Sequence, residues 1–280
     1  MKRMQLDNFD AYYVDIALNK GGLCNQLYPL VHAIAVCIKR KKNRLFVGNF
    51  RLEAYMKNKC KASIVFDFEK MNTYFKNKYN LYLEDQNHIK FFKGRIFSIK
   101  ETIGNHIPNV ISPLGIDIIQ NIHFQNQIIW PAHRCLNTII SDKEKTKINL
   151  IHMRTEDDAI KHWSQINGMS NCEFEKVLSN NYINLIKKYI NKETPTIIVS
   201  GTKNNSVLNF LKLNGYRYFL CKKPSSYREV NAIFDLHLAK SCNNIFIGAG
   251  GSTFTQIIIL HFNNKLNSKI INLNDIREKL

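Results

Sequence analysis

The feature that most constrains the fold is a regular alternation of short apolar runs and helix-spaced segments in the second half of the chain. It begins at residues 148–153, an apolar run short enough to be a buried strand of a parallel sheet. Further strands are predicted at 196–199, 217–220, 244–247 and 269–273, and helices at 174–190, 206–213, 227–242 and from 252 onward. Because repeated strand–helix–strand units need right-handed crossovers, this order predicts a doubly wound parallel sheet.

The first half of the chain begins in the same way. A strand near 13–18 precedes a glycine turn, a helix from about 26 to 39 and a strand at 44–47. Residues 50–135 mix aromatic residues, Lys and Asn without clean periodicity, so they are predicted only to be α/β. The polar stretch 141–147 is a plausible hinge. We therefore expect two Rossmann-like domains, residues 1–143 and residues 144–280.

Composition indicates folded domains with a strong preference for anions. Hydrophobic residues make up 45% of the chain and aromatic residues 11%, enough for substantial cores. The formal charge of +18 comes from 40 Lys and Arg against 22 Asp and Glu, and it favours a polyanion, an acidic membrane surface or a phosphate-bearing ligand. No aromatic-interleaved RNA motif accompanies the charge, so no nucleic-acid partner is expected, and an ordinary solvated basic surface is the simpler interpretation.

Targeting signals and cysteine usage indicate the compartment. The first fifteen residues include Asp7, Asp10 and Asp15 and have no continuous apolar core, which argues against a secretory signal and a membrane anchor. The apolar runs elsewhere are short enough for strands, so no transmembrane segment is expected. The seven cysteines form an odd set without a C-x-x-C pair or zinc-like spacing, which predicts neither a disulfide framework nor a metal site. We expect a cytoplasmic, reducing location.

Three candidate sites stand at the carboxyl ends of predicted strands, where open α/β sheets bind their ligands. The first contains Gly21, Gly22, Asn25 and Gln26. The paired glycines permit a tight turn and a close backbone approach, and the two amides at the start of the helix can bond a substrate. The alternative is an ordinary turn with Asn25 as the helix N-cap.

The second candidate site is the triplet His152, Met153 and Arg154 at the end of the strand at 148–153. A guanidinium at this position can hold a diphosphate bidentately and neutralise the charge that grows on it when a glycosidic bond breaks, without a metal. His152 can donate a further hydrogen bond to the same phosphate. His-x-Arg triplets are common, and a surface salt bridge is the alternative for Arg154.

The third candidate site is a glycine-rich turn that leads from a strand into a helix. Backbone N–H groups and the positive end of the helix dipole make such a turn a diphosphate site. A dinucleotide-binding fingerprint fits poorly, because the sixth position is Thr instead of Gly or Ala. The residues expected to contact the donor are Gly250, Gly251, Ser252, Thr253 and Phe254.

Together these motifs resemble the fucosyltransferase superfamily of GT-B glycosyltransferases, which includes protein O-fucosyltransferases and bacterial α-1,2 enzymes. The segment from Gly22 to Gln26 is similar to a Gly-x-x-Asn-Gln core whose Asn lines the catalytic cleft. The resemblance implies that His152 and Arg154 contact the β-phosphate of the donor, and that the residues from Ser252 to Phe254 surround the diphosphate and base. Several branches have two successive arginines and a glycine, whereas Thr155 and Glu156 follow Arg154 here.

Four acidic residues complete the set. Asp235 matches an Asp that supports nucleotide recognition in that family, and its alternative is a surface helix acid paired with Lys240. Glu156, Asp157 and Asp158 could form a metal-binding DxD cluster of another glycosyltransferase fold. Because Arg154 and the glycine-rich turn already supply positive charge, Asp157 or Asp158 is instead a candidate general base, with a solvated acidic loop as the alternative.

The sequence therefore predicts an α/β protein of two Rossmann-like domains facing a cleft, the N-terminal one on the acceptor side and the C-terminal one binding the nucleotide sugar. We expect an inverting, metal-independent glycosyltransferase with a glycan or glycoprotein acceptor. The resemblance implies GDP-fucose as donor substrate and no further cofactor. UDP-xylose or another UDP-sugar is an alternative donor, and a non-catalytic basic module that binds nucleic acid or anionic glycan is an alternative function. Eukaryotic members of the family usually enter the secretory pathway, so a cytosolic chain suggests a bacterial or viral setting.

Overall fold

A computed structural model describes residues 10–18, 22–54, 56–99, 108–201, 205–249, 252–262 and 269–272. The chain forms two compact units of α/β structure. Unit 1 comprises the described residues up to Ile129 together with Ser225–Ile233, and unit 2 comprises Trp130–Pro224 together with those from Phe234 onward. The chain crosses between the units three times: twice inside helices, at 129–130 and 233–234, and once between Pro224 and Ser225, outside regular structure. The predicted assignment of acceptor and donor roles to 1–143 and 144–280 stays a prediction.

Unit 1 contains a parallel sheet in the strand order β5-β2-β1-β6 and an antiparallel pair, β3-β4. Its strands are β1 (Asp10–Val14), β2 (Arg44–Val47), β3 (Asn49–Arg51), β4 (Lys59–Lys61), β5 (Tyr82–Asp85) and β6 (Arg95–Ser98). Its helices are α1 (Leu23–Lys39), α2 (Ala62–Val65), α3 (Phe68–Tyr79) and α4 (Pro113–Gln120), with 3-10 turns at Ile16–Leu18 and Gln86–Phe91. Most of α1 is buried, as expected of a helix in the core of an α/β layer structure.

Unit 2 contains a parallel sheet in the strand order β11-β10-β7-β8-β9. Its strands are β7 (Asn149–Met153), β8 (Thr196–Ser200), β9 (Tyr218–Leu220), β10 (Ile245–Gly248) and β11 (Lys269–Asn272). The helices are α5 (Asn126–Ile139), α6 (Asp157–Ile166), α7 (Asn171–Tyr189), α8 (Ser206–Leu213), α9 (Arg228–Ser241) and α10 (Thr253–Phe262), of which α5 and α9 begin in unit 1; a 3-10 turn lies at Glu144–Thr146. Every residue of β7 and β8 is buried, which explains why both read as continuous apolar runs.

The predicted α/β class with parallel sheets is confirmed, and the predicted elements of the second half lie within a few residues of the observed ones. The largest discrepancy there is α6, a helix that the sequence pattern does not predict. In the first half, the strand predicted near 13–18 ends at Val14 and gives way to a 3-10 turn. The helix predicted from about 26 begins at Leu23.

The expectation that the cysteines are unpaired is wrong for one pair. Cys135 of α5 and Cys221, which follows β9, form a disulfide with a Cα–Cα distance of 6.8 Å. They are 86 residues apart in sequence, so no motif of closely spaced cysteines predicts the bond. Cys37, Cys60 and Cys172 carry free thiols. Within the described parts of the chain, no helix combines the length and hydropathy needed to cross a membrane.

Candidate functional site

The second and third predicted sites converge at the carboxyl edge of the sheet of unit 2. Strands β7 and β10 are parallel neighbours, with Phe246 opposite Leu150 and Ile247 opposite Ile151. Parallel neighbours end at the same edge of a sheet, so the turn that carries Arg154 and the start of α10 lie side by side. This edge is the candidate functional site.

His152 joins the two predicted sites directly. Its Nδ1 lies 2.7 Å from Oγ1 of Thr255, in the first turn of α10, and its ring centroid lies 5.1 Å from that of Phe254. Burial, with a contribution from the positive charges of Arg154 and Lys223, lowers the pKa of His152 to about 3. The imidazole is therefore neutral near pH 7 and can contribute an N–H group but no charge.

Close packing explains the glycine at position 248, the last residue of β10, two residues before the third site. A Cβ at Gly248 would lie 2.5 Å from Cγ2 of Thr255 and 2.8 Å from the ring of Phe246. A side chain at Gly248 would therefore push α10 away from the strand and break the contact between Thr255 and His152.

Tyr182 fixes the backbone of the His-x-Arg turn. Its side chain, from α7, is completely buried, and its hydroxyl donates a hydrogen bond of 2.8 Å to the carbonyl of His152. The same hydroxyl accepts a bond of 3.3 Å from the N–H of Arg154. A buried group that satisfies one carbonyl and one N–H holds the path of the chain at the point where Arg154 leaves the sheet.

Arg154 lies beside two carboxylates. Its guanidinium is 3.3 Å from Glu156 and 3.5 Å from Asp158, and its side chain is 29% exposed. Glu156 also accepts a hydrogen bond of 3.0 Å from the N–H of Gly201, after β8. The salt bridge considered as the alternative for Arg154 is present. The partly exposed guanidinium is nevertheless held at the sheet edge, where an anion can compete for it.

The acidic residues open a helix. Asp157 and Asp158 are both exposed and occupy the first turn of α6, where the helix dipole stabilises negative charge. The interpretation of this segment as an acidic loop is therefore wrong. Asp158 is paired with Arg154, and the general-base role predicted for Asp157 or Asp158 stays a prediction.

Asp235 lies on α9 and forms an ion pair with Lys223, which follows β9; the side chain of the Asp is 13% exposed and that of the Lys 28%. Burial raises the pKa of Asp235 to about 6, with Lys223 acting in the opposite direction. An acid this far from solvent does not fit the surface-acid alternative.

The first predicted site lies in unit 1, at the start of α1. Gly22 is the N-cap, with no capping side chain of its own. The carboxylate of Glu229 instead accepts a hydrogen bond from the N–H of Leu23, and it is almost completely buried. Burial raises the pKa of Glu229. A Cβ at Gly22 would approach that carboxylate to 3.2 Å, so the glycine leaves room for the cap.

The alternative considered for Asn25 and the expectation for Gln26 are both wrong. Asn25 is not the N-cap: it lies in the first turn of α1, and its N–H bonds to the carbonyl of Gly22. Gln26 does not present its amide to a ligand. Its side chain is fully buried and pairs with the backbone of Arg51 in β3, with N–O distances of 3.0 and 2.7 Å. Asn25 is partly exposed, and its predicted role stays open.

The structure thus brings together most of the predicted residues of unit 2. His152, Phe254 and the start of α10 are in contact, and Ser252 and Thr253 lie at that helix start. Gly21, Gly250 and Gly251 lie outside the described residues.

Sequence reasoning missed Tyr182, Thr255, Lys223 and Glu229. Lys223 could have been found, because it follows a predicted strand at the same carboxyl edge as Arg154. Thr255 lies three residues after Ser252, within reach of the same helix start. Tyr182 and Glu229 carry no local signal, since each acts on backbone groups far away in sequence.

Comparison with known proteins gives the fold. No family model matches the sequence, and no curated protein is significantly similar to it. Among solved structures, POFUT1 in complex with GDP-fucose superposes with a TM-score of 0.61 at 9% identity, over 94% of this chain and 99% of that one. NodZ alpha-1,6-fucosyltransferase soaked with GDP-fucose superposes with a TM-score of 0.60 at 13% identity, over 95% of each chain. This chain has the fold of the fucosyltransferase-like GT-B glycosyltransferases.

A third structure agrees. Fucosyltransferase NodZ from Bradyrhizobium has a TM-score of 0.56 at 11% identity, over 89% of this chain and 92% of that one. The superposed structures therefore cover nearly the whole of this chain. The low identities mean that what the site does must be argued from its own residues.

Proposed function

We propose that this chain is a glycosyltransferase that moves a sugar from a nucleotide-diphosphate donor to a hydroxyl of a glycan or a protein. The observation that carries the proposal is the meeting of Arg154, His152 and the N-terminus of α10 at one sheet edge of unit 2. A partly exposed guanidinium beside the start of a helix, where the first turn has no intrahelical acceptor for its N–H groups, suits a diphosphate. The GT-B structures superposed above include complexes with GDP-fucose, which supports GDP-fucose as the first donor to test.

In this mechanism the acceptor oxygen attacks the anomeric carbon as the bond from that carbon to the diphosphate oxygen breaks. The electron pair of that bond goes to the diphosphate, and the acceptor proton goes to a base, for which Asp157 is the candidate on this chain. Arg154 and the N–H groups at Ser252 and Thr253 stabilise the growing negative charge, and neutral His152 adds a hydrogen-bond donor. Inversion at the anomeric carbon and independence from metal ions are parts of this proposal. A role for Asn25 in orienting the diphosphate or the acceptor, which the family resemblance implies, is a further part.

Nucleotide binding tests the proposal most directly. Thermal unfolding of the chain would be followed in EDTA with GDP, UDP, GDP-fucose and UDP-sugars, and in parallel with heparin and with RNA. A ligand at about 100 times its Kd stabilises the folded state by about 2.7 kcal/mol. We expect stabilisation by a nucleoside diphosphate in EDTA, and the preferred base identifies the donor class.

Two outcomes would contradict the proposal. Stabilisation by polyanions alone would favour the non-catalytic basic module, with which the formal charge of +18 is also consistent. Stabilisation by nucleotides only after a divalent cation is added would refute metal independence while keeping the transferase. A preference for UDP would keep the reaction and change the donor. A cytoplasmic location, which the sequence suggested, stays a prediction for fractionation of the native cell.

A further inference from the structure

Lys223 lies in the same charged neighbourhood as Arg154. It belongs to the short segment that follows β9 and leads to α9. Two residues earlier, Cys221 anchors this segment to α5 through its disulfide with Cys135. The ammonium is therefore carried by a segment that is tied at one end to a helix and continues at the other into Asp235 on α9.

Strand order places Lys223 at the same edge of the sheet as Arg154. Strands β7 and β8 are parallel neighbours, and so are β8 and β9, so the segments that follow β7 and β9 both leave the sheet at its carboxyl edge. The effects on pKa agree with this placement. The charges of Arg154 and Lys223 both contribute to lowering the pKa of the buried His152, after the larger effect of burial.

Charge balance shows why one cation is insufficient for a diphosphate. Arg154 faces two carboxylates, Glu156 and Asp158, so the turn after β7 carries more negative than positive charge. A diphosphate brings further negative charge into the same place. A second cation that can exchange its carboxylate for a phosphate would offset this negative charge, and Lys223, which is paired with Asp235, lies at the same edge.

We propose that Lys223 is a second diphosphate-binding cation of this site. Asp235 holds the Lys223 ammonium in position until a diphosphate binds, and the ammonium then moves from the carboxylate to the phosphate. This inference rests on the proposed function, since it assumes that a diphosphate binds at the edge beside Arg154. The side chain of Lys223 is 28% exposed, so its ammonium can reach an incoming phosphate. Its flexible stem allows the Nζ to move from the carboxylate to a phosphate oxygen.

The test measures the Kd of GDP and of inorganic pyrophosphate by calorimetry in EDTA, with UDP in place of GDP if the protein prefers it. We compare the wild type with Lys223→Met, the conservative Lys223→Arg, and Lys222→Met as the matched control, since Lys222 is the exposed neighbour. Losing one charge-assisted hydrogen bond weakens binding by about tenfold or more. We expect that loss for both probes in Lys223→Met, a change of at most about twofold in Lys222→Met, and affinity near that of the wild type in Lys223→Arg.

Each outcome decides between defined alternatives. A Lys223→Met protein that binds both probes like the wild type overturns the inference. One that loses GDP but keeps pyrophosphate also overturns it, because Lys223 would then serve the nucleoside. A wild type that binds no nucleoside diphosphate overturns the proposed function itself. If Lys223→Met does not fold, the double variant Lys223→Met, Asp235→Asn removes the uncompensated acid and is measured in its place.

Discussion

The hydroxyl of Tyr182 gives a quantitative test of how the candidate site is held. Replacing Tyr182 by Phe keeps the ring and removes one oxygen that is bonded to the carbonyl of His152 at 2.8 Å and to the N–H of Arg154 at 3.3 Å. Tyr182 is completely buried, so water cannot replace the lost partner without local opening. An unsatisfied buried backbone group costs about 1–3 kcal/mol, and the longer bond adds less, so we expect a loss of about 2 kcal/mol.

Urea unfolding followed by tryptophan fluorescence measures this loss selectively. Both tryptophans, Trp130 and Trp163, belong to unit 2, so the signal reports on the unit that contains Tyr182. A loss of about 2 kcal/mol corresponds to a decrease in Tm of roughly 4–8 °C for a unit of this size. The turn should also loosen, and GDP affinity should fall by a few fold.

The control is Tyr216→Phe. Tyr216 also belongs to unit 2, and its ring contacts are with Lys192, 5.4 Å from the ring centroid, and with Phe210, at 5.6 Å between centroids. Both contacts survive the loss of the hydroxyl, so we expect a change within about 0.5 kcal/mol. Equal urea midpoints for the two variants would refute the claim that the Tyr182 hydroxyl holds the His-x-Arg turn.

Three further predictions concern charge and cross-linking in unit 2. Arg154→Ala should lower turnover about a hundredfold, because it removes a preorganised charge at the leaving group. The control is Arg134→Ala, at an exposed position on α5, which should change turnover little. Equal rates for the two variants in a donor-hydrolysis or transfer assay would contradict this. Cys135→Ser should lower the free energy of unfolding of the oxidised protein by about 2–5 kcal/mol, and the control Cys172→Ser should not. If reductant leaves the unfolding midpoint of the wild type unchanged, the disulfide does not contribute to stability. The pKa of Asp235 is raised from the ordinary value of 3.8 to about 6, so the folded state binds the proton more tightly than the unfolded state does. The contribution of this group to the free energy of unfolding is therefore fully present below about pH 4 and is lost as the pH rises through about 6. Asp235→Asn should remove that part of the pH dependence, and parallel pH–stability curves for the two proteins would disprove it.

Much of the second half of the fold was predictable because its signals are local. The fully buried strands β7 and β8 need unbroken apolar runs, and the helix α8 has the bounds that its spacing predicts. The rule that parallel strands present ligands at their carboxyl ends then predicted that His152 lies close to the start of α10, where it contacts Thr255 and Phe254. Residues 50–135 were not predictable in this way, because short strands and half-buried helices there leave a weak periodic pattern.

The sequence by itself determined the chemical groups available at the sheet edge: a guanidinium, an imidazole, a glycine-rich turn and an acid on the helix that precedes this turn. Only the tertiary structure decided how those groups are paired. Lys223 became the partner of Asp235, and Tyr182 became the support of the His-x-Arg turn. The physical reason is that periodicity reports which residues face a core, whereas hydrogen bonds and ion pairs depend on which elements the sheet order makes neighbours.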